Sequence, residues 1–239
     1  MQKLTGGMRA AIEKYHMIGE GDRIAVGVSG GKDSVALLVG LCELRRYFPL
    51  HFEIVAVSLD PCYNNKETDY SKIQSICDGY QTPYVIRRTE LAKVIFETRR
   101  EKNPCSLCSR MRRGALDDLA KENGCNKVAL GHHMDDAAET FLMNLFRGGR
   151  IGCFSPVTYL SRKDLTVIRP MVLMQEREIA AAAARLALPV VKSRCPADGN
   201  TQRERTKELI LELEKEYGGL RENIVGAMMR KGMDGWGAV

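Results

Sequence analysis

An apolar run, RIAVGV at 23–28, breaks at Gly30 and Gly31 and leads directly into KDSVALLVGLCEL, which has the composition of a buried helix. A strand that feeds a helix through a two-glycine turn restricts a chain to few folds. Consecutive glycines let the backbone reverse sharply, and the helix must then pack back onto the sheet its strand belongs to. The alternation repeats. Strands are predicted at 52–59, 83–86, 126–130, 165–168 and 188–191. Helices are predicted at 4–18, 33–44, 68–79, 109–123, 135–146 and 175–186, with a charged helical tail from about 201 and a short helix at 222–230. Strands alternating with helices give an α/β fold, a Rossmann-like doubly wound parallel sheet with N- and C-terminal helices. The expected division is an N-terminal helix at 1–20, a nucleotide-type α/β domain at 21–192, and a loop with a helical tail at 193–239.

Composition fits this reading. The 239 residues are 44% hydrophobic and 28% charged, which suits a packed core rather than disorder. No apolar run is long enough to span a bilayer, and the first 22 residues lack the apolar centre of an export signal, so a cytoplasmic protein without membrane contact is expected. The net charge is +6. Its placement says more than its size: between 97 and 113, six basic residues stand against Glu97 and Glu101. A polyanion partner fits that excess, and so does a solvated helix face.

The turn itself reads Ser29-Gly30-Gly31-Lys32-Asp33-Ser34. Free N–H groups at such a turn form an anion-binding nest, and the helix start adds its positive end. Lys32 supplies a mobile cation for phosphate, and Asp33 is a candidate magnesium ligand. The spacing is not that of the GxxxxGK[ST] loop. A second loop, LGHHMDDAAE at 130–139, follows the predicted strand at 126–130. Gly131 allows close backbone approach. His132, His133, Asp135, Asp136 and Glu139 crowd the same strand end. One aspartate could hold magnesium and one histidine could meet phosphate or the reacting base, while acidic residues in a first helical turn also simply complement the helix dipole. Both loops fall at carboxyl ends of strands, where α/β sheets bind ligands.

Eight cysteines occur, and a chain of this size and core composition needs no disulfide framework. Cys42 and Cys77 lie in helical stretches and read as small core residues. Cys105 and Cys108 form a Cys-x-x-Cys in the loop before the helix at 109–123, with Arg110, Arg112 and Arg113 behind them, and Cys195 lies in a late loop. From the residues alone, an iron–sulfur cluster on three thiolates, a zinc site and unligated thiols stand equally open.

SGGKDS resembles the PP-loop of the N-type ATP pyrophosphatases, the adenine nucleotide alpha hydrolase type of α/β fold. Together with CSLCSRMRRG, LGHHMDD, FRGG at 146–149, IRPM at 168–171 and the late cysteine before NTQRER, it resembles the TtcA family, the tRNA 2-thiocytidine synthetases, over about residues 8–230. That resemblance implies ATP and magnesium bound by Ser29–Ser34, Gly131, His132 and His133, with Asp33, Arg112, Asp135 and Asp136 as catalytic residues. It implies a [4Fe-4S] cluster on Cys105, Cys108 and Cys195, with one iron left open. The implied reaction is adenylation of O2 of a pyrimidine, a cytidine in the tRNA anticodon loop, followed by attack at C2 by sulfur from sulfide or a cysteine-desulfurase-derived persulfide. A homodimer is implied as well. Arg112 is expected to meet the ATP phosphates or the adenylate. The family often carries a second Cys-x-x-Cys where this chain has Cys195 alone, which keeps a thiolated uridine open as the product. A cluster-free PP-loop ligase and an iron–sulfur desulfidase are the alternative readings.

Overall fold

The structure is a computed structural model that describes residues 1–99, 104–192, 194–196, 199 and 201–237. A six-stranded sheet forms its centre, with strands β1 (Asp22–Gly27), β2 (Phe52–Asp60), β3 (Tyr84–Arg88), β4 (Lys127–Ala129), β5 (Val157–Leu160) and β6 (Leu165–Ile168). The order across the sheet is β3-β2-β1-β4-β6-β5. All neighbours pair in parallel except β5, which runs antiparallel to β6 at the edge. The chain therefore grows outward from β1 in one direction and then from β4 in the other. The switch point lies between β1 and β4, and the two loops singled out above leave these two strands.

Side-chain alternation explains why both sheet faces are covered. Ile24, Val26, Ile54 and Ala56 face one layer, packed with Leu4, Met8, Leu38 and Leu41. Ala25, Val55, Val57 and Val128 face the other, packed with Leu119 and Ala120. The first layer contains α1 (Gln2–Lys14), α2 (Lys32–Leu44) and α6 (Glu176–Arg185), and the second contains α4 (Pro104–Glu122). Near-continuous apolar strands are what a two-sided parallel sheet requires. A further layer is built from α5 (Met134–Gly148), α7 (Gln202–Glu216) and α8 (Leu220–Lys231), with Ala138, Leu142 and Ile210 at its centre. Trp236 is fully buried in the first layer and donates its indole N–H to the Phe154 carbonyl at 2.8 Å. No helix among the described residues is long and apolar enough to cross a membrane.

Three expectations need correction. The run at 188–191 is not a strand. Pro189 removes a ladder donor, Val190 is largely exposed, and the backbone bonds of the segment, from the Leu188 N–H to the Ala183 carbonyl at 3.0 Å and from the Val191 N–H to the Gly30 carbonyl at 2.9 Å, belong to no ladder. The sheet instead gains β5, four residues that form a hairpin with β6 and make the sheet mixed rather than wholly parallel. Finally, the helix expected at 109–123 starts at Pro104, so Cys105 and Cys108 sit in its first turns rather than in a preceding loop. Proline is well suited to a first helical turn because its missing N–H is unpaired there in any case.

Candidate active site

The turn after β1 is a compact hydrogen-bonded loop. Ser34 Oγ accepts from the Ser29 N–H at 3.1 Å and donates to the Gly31 carbonyl at 2.9 Å, and the two serine hydroxyls lie 3.2 Å apart. Gly30 has a φ of +91°, and a β-carbon there would sit 2.8 Å from the Val191 β-carbon. Glycine is thus required twice over, by backbone conformation and by space. A β-carbon on Gly131 would lie 3.3 Å from the backbone of Asp33 and Ser34, so the loop after β4 passes directly over the start of α2.

Asp33 Oδ2 lies 3.0 Å from Lys32 Nζ and 4.0 Å from His133 Nε2, while its Oδ1 is buried without a hydrogen-bond partner. A carboxylate oxygen in that state calls for a proton or a cation. Lys32 Nζ also lies 2.8 Å from Glu176 Oε1. Burial works against the Lys32 charge, but its bonds to Glu176 and Asp33 outweigh it and raise the ammonium above the ordinary lysine value.

The second loop divides its residues between structure and cleft. His133 caps α5: its Nδ1 accepts from the Asp136 N–H at 3.4 Å, and Asp136 Oδ2 accepts from the His133 N–H at 3.0 Å. Asp136 Oδ1 takes Arg203 Nη1 at 2.8 Å. Asp135 is buried; its Oδ2 accepts the Glu176 N–H at 2.6 Å and its Oδ1 pairs with Arg221 Nε at 2.8 Å. Both aspartates are therefore engaged with neighbouring protein groups. His132 stacks on Phe154 with ring centroids 5.0 Å apart, and its Nδ1 is buried without a partner. Burial, followed by the nearby Arg169 guanidinium, pushes the imidazole down to about 3. His132 is a neutral ring at physiological pH.

A cavity of about 660 Å³ opens beside these loops. Its wall brings together Ser29, Gly31, Asp33 and Ser34 from the first loop, Gly131 and His132 from the second, Arg112 and Arg113 from α4, and the three cysteines 105, 108 and 195. Gly30, Lys32, His133, Asp135 and Asp136 are not among the residues that line it. Cys105, Cys108 and Arg112 share the cavity because they lie at three- and four-residue spacing on one helical face. The thiols are near enough to act on one another: burial, then Cys195, then Cys108 raise the Cys105 pKa. Among the described residues, no three His, Cys, Asp or Glu side chains converge where a single metal ion could be held. A cubane cluster sets a different requirement, since each of its thiolates binds a different iron and the sulfurs need not meet at a point. Three thiols spread along one cavity wall suit that donor set.

The PP-loop domain family matches residues 7–213 of the chain. A tRNA-cytidine(32) 2-sulfurtransferase of Syntrophotalea carbinolica is 41% identical over 231 residues, covering 95% of this chain and 87% of that protein. One from Geobacter metallireducens is 40% identical over 230 residues, covering 95% and 89%. The chain belongs to the PP-loop tRNA sulfurtransferases. In fold it resembles the U34-tRNA thiolase NcsA from Methanococcus maripaludis, solved with its [4Fe-4S] cluster, with a TM-score of 0.76 at 24% identity over 95% of this chain and 78% of that one.

Three residues of this tRNA sulfurtransferase site escaped the sequence reading. Tyr63 lines the cavity, packs edge-on against Phe96 at 6.2 Å and hydrogen-bonds Cys195. Burial and then that bond hold its phenol above the ordinary value. The loop presenting it is organised by buried Asp60, whose carboxylate accepts the N–H groups of Cys62 (3.1 Å) and Thr68 (2.7 Å). Arg169, within the IRPM segment, is buried behind Phe154. It donates to the Ser155 carbonyl at 2.6 Å while its Nε has no partner, and burial followed by Arg113 lowers it to about 10. Glu176, at the start of α6, sits between Lys32 and Lys207. Only Arg169 carried a visible signal, as a charge ending an apolar strand. Tyr63 and Glu176 reach the site through tertiary packing.

Proposed function

We propose that the chain thiolates a cytidine in the tRNA anticodon loop at C2, using ATP at the PP-loop and a [4Fe-4S] cluster on Cys105, Cys108 and Cys195. The carrying observation is the single cavity that joins the PP-loop to all three thiols. Position 32 and the cytidine are taken from the names of the relatives. The backbone N–H groups of the Ser29–Ser34 loop would hold the triphosphate at the start of α2, where the helix dipole favours negative charge. Asp33, with its unpartnered Oδ1, would hold a magnesium ion against the phosphates. In the first step, O2 of the base attacks the α-phosphorus and pyrophosphate leaves.

Arg112 and Arg113 lie on the wall between loop and cysteines, where forked donors would bind the adenylate phosphate and orient it towards the thiols. His132, kept neutral by burial, can donate or accept one hydrogen bond without adding charge beside the base. When bound, the cluster would supply an iron without a protein ligand at which sulfur can be held. Replacement of O2 then releases AMP, and the basic α4 face would neutralise phosphates on both the nucleotide and the RNA. Asp135 and Asp136 would act by holding the second loop and α6 in place. We also propose a cytoplasmic homodimer fed by sulfide or a persulfide.

Mass analysis of tRNA nucleosides from a strain lacking the protein is the decisive experiment, with loss of 2-thiocytidine expected. Loss of a thiouridine instead would reassign the substrate. Anaerobic purification should give a brown protein, and Cys105→Ala should remove colour and thiolation together. A colourless protein with full activity would overturn the cluster.

A further inference from the structure

Lys32 is the only lysine of the PP-loop, yet it does not line the cavity, and its ammonium is held between Glu176 Oε1 at 2.8 Å and Asp33 Oδ2 at 3.0 Å. Glu176 cannot follow a moving lysine. Its Oε2 lies 2.5 Å from Lys207 Nζ on α7, and its own N–H is held by Asp135 Oδ2 at 2.6 Å, with Asp135 anchored in turn by Arg221. One carboxylate thus has two lysines, one on the phosphate loop and one on the tail. If Lys32 leaves, Lys207 remains, and Glu176 is not left as an uncompensated, half-buried charge, which is the usual cost of breaking such a pair.

We infer that Glu176 is a positioning residue that parks the Lys32 ammonium, and that the triphosphate takes Lys32 from it by exchange, with Lys207 keeping Glu176 neutralised. The inference rests on the reading of Ser29–Ser34 as the ATP loop and adds a competitor for that loop's lysine. No bond beyond ion pairs changes: Lys32 trades one anion for another.

Substitutions at Glu176 and at Lys207 should therefore act with opposite sign. Removing the competing charge with Glu176→Gln should tighten equilibrium ATP binding by roughly fivefold, the weight of one partly exposed ion pair. Removing the second cation with Lys207→Ala leaves Glu176 with Lys32 alone and should weaken ATP binding by about the same factor. In a Lys32→Ala background neither substitution should matter, because their shared partner is gone. Calorimetric titration of ATP and magnesium into the full chain reads all of these without thiolation activity, and thermal melts report whether each variant is folded. A purely structural salt bridge would make both substitutions weaken binding or leave it unchanged, and either result overturns the inference. Absence of ATP binding by the wild-type chain would overturn the ATP reading and this exchange with it.

Discussion

On the proposed reading Arg112 meets the adenylate phosphate from the cavity wall, where part of the water that would otherwise screen its charge is excluded. Its removal takes away one charge-assisted contact worth about 1.5–3 kcal/mol. Arg112→Ala should accordingly slow single-turnover thiolation by roughly tenfold to a hundredfold. Arg112→Lys should recover only part of the loss, since an ammonium lacks the guanidinium fork. Circular dichroism should show both variants folded, because the side chain lies on the cavity wall rather than in a core. Gly30 behaves differently. At a φ of +91°, with Val191 at 2.8 Å from any β-carbon, Gly30→Ala strains the fold and the loop together. A loss of at least about 1–2 kcal/mol in chemical denaturation, accompanied by loss of ATP binding, is expected.

At the scale of elements, the α5–α7 contact contains a titrating group. Burial, then Asp136, raise Glu139 to about 7, although Arg203 lies 3.7 Å away. A carboxyl whose folded pKa lies above its unfolded value binds more protons when folded. Its contribution is therefore fully present below about pH 4.3 and is lost as the pH rises through 7. Glu139→Gln should be less sensitive than the wild type across that window and more stable than it at pH 8, as read from melting temperatures at matched pH. The elements also show where sequence patterns suffice. β1, β2 and α2 were legible because each is a near-continuous apolar run with a clear break at its end. β5 was not, because four residues, VTYL, carry too little periodicity and acquire their meaning only beside β6. The start of α4 was missed because Pro104 and the cysteines look like a loop until the helix face they share has a cavity to line. The joining of Cys195 to that cavity follows from tertiary contacts, which no local pattern encodes.

Over the whole molecule, the tail forms part of the structure behind the site. Trp236 is buried under Phe154, Phe154 stacks on His132, and His132 lines the cavity. Trp236→Ala should cost about 3–5 kcal/mol, the usual loss for a buried aromatic. It should also lower thiolation at temperatures where the variant is still folded, because the back wall of the site loosens.

The bond from the Val191 N–H to the Gly30 carbonyl has one more consequence. It ties the nucleotide loop to the segment that ends four residues later at Cys195. Two ligands on either side of such a tie obey thermodynamic reciprocity: whatever factor a group held at Cys195 imposes on ATP affinity, ATP imposes on the affinity for that group. ATP binding and retention of a group on Cys195 would then be two readings of one equilibrium.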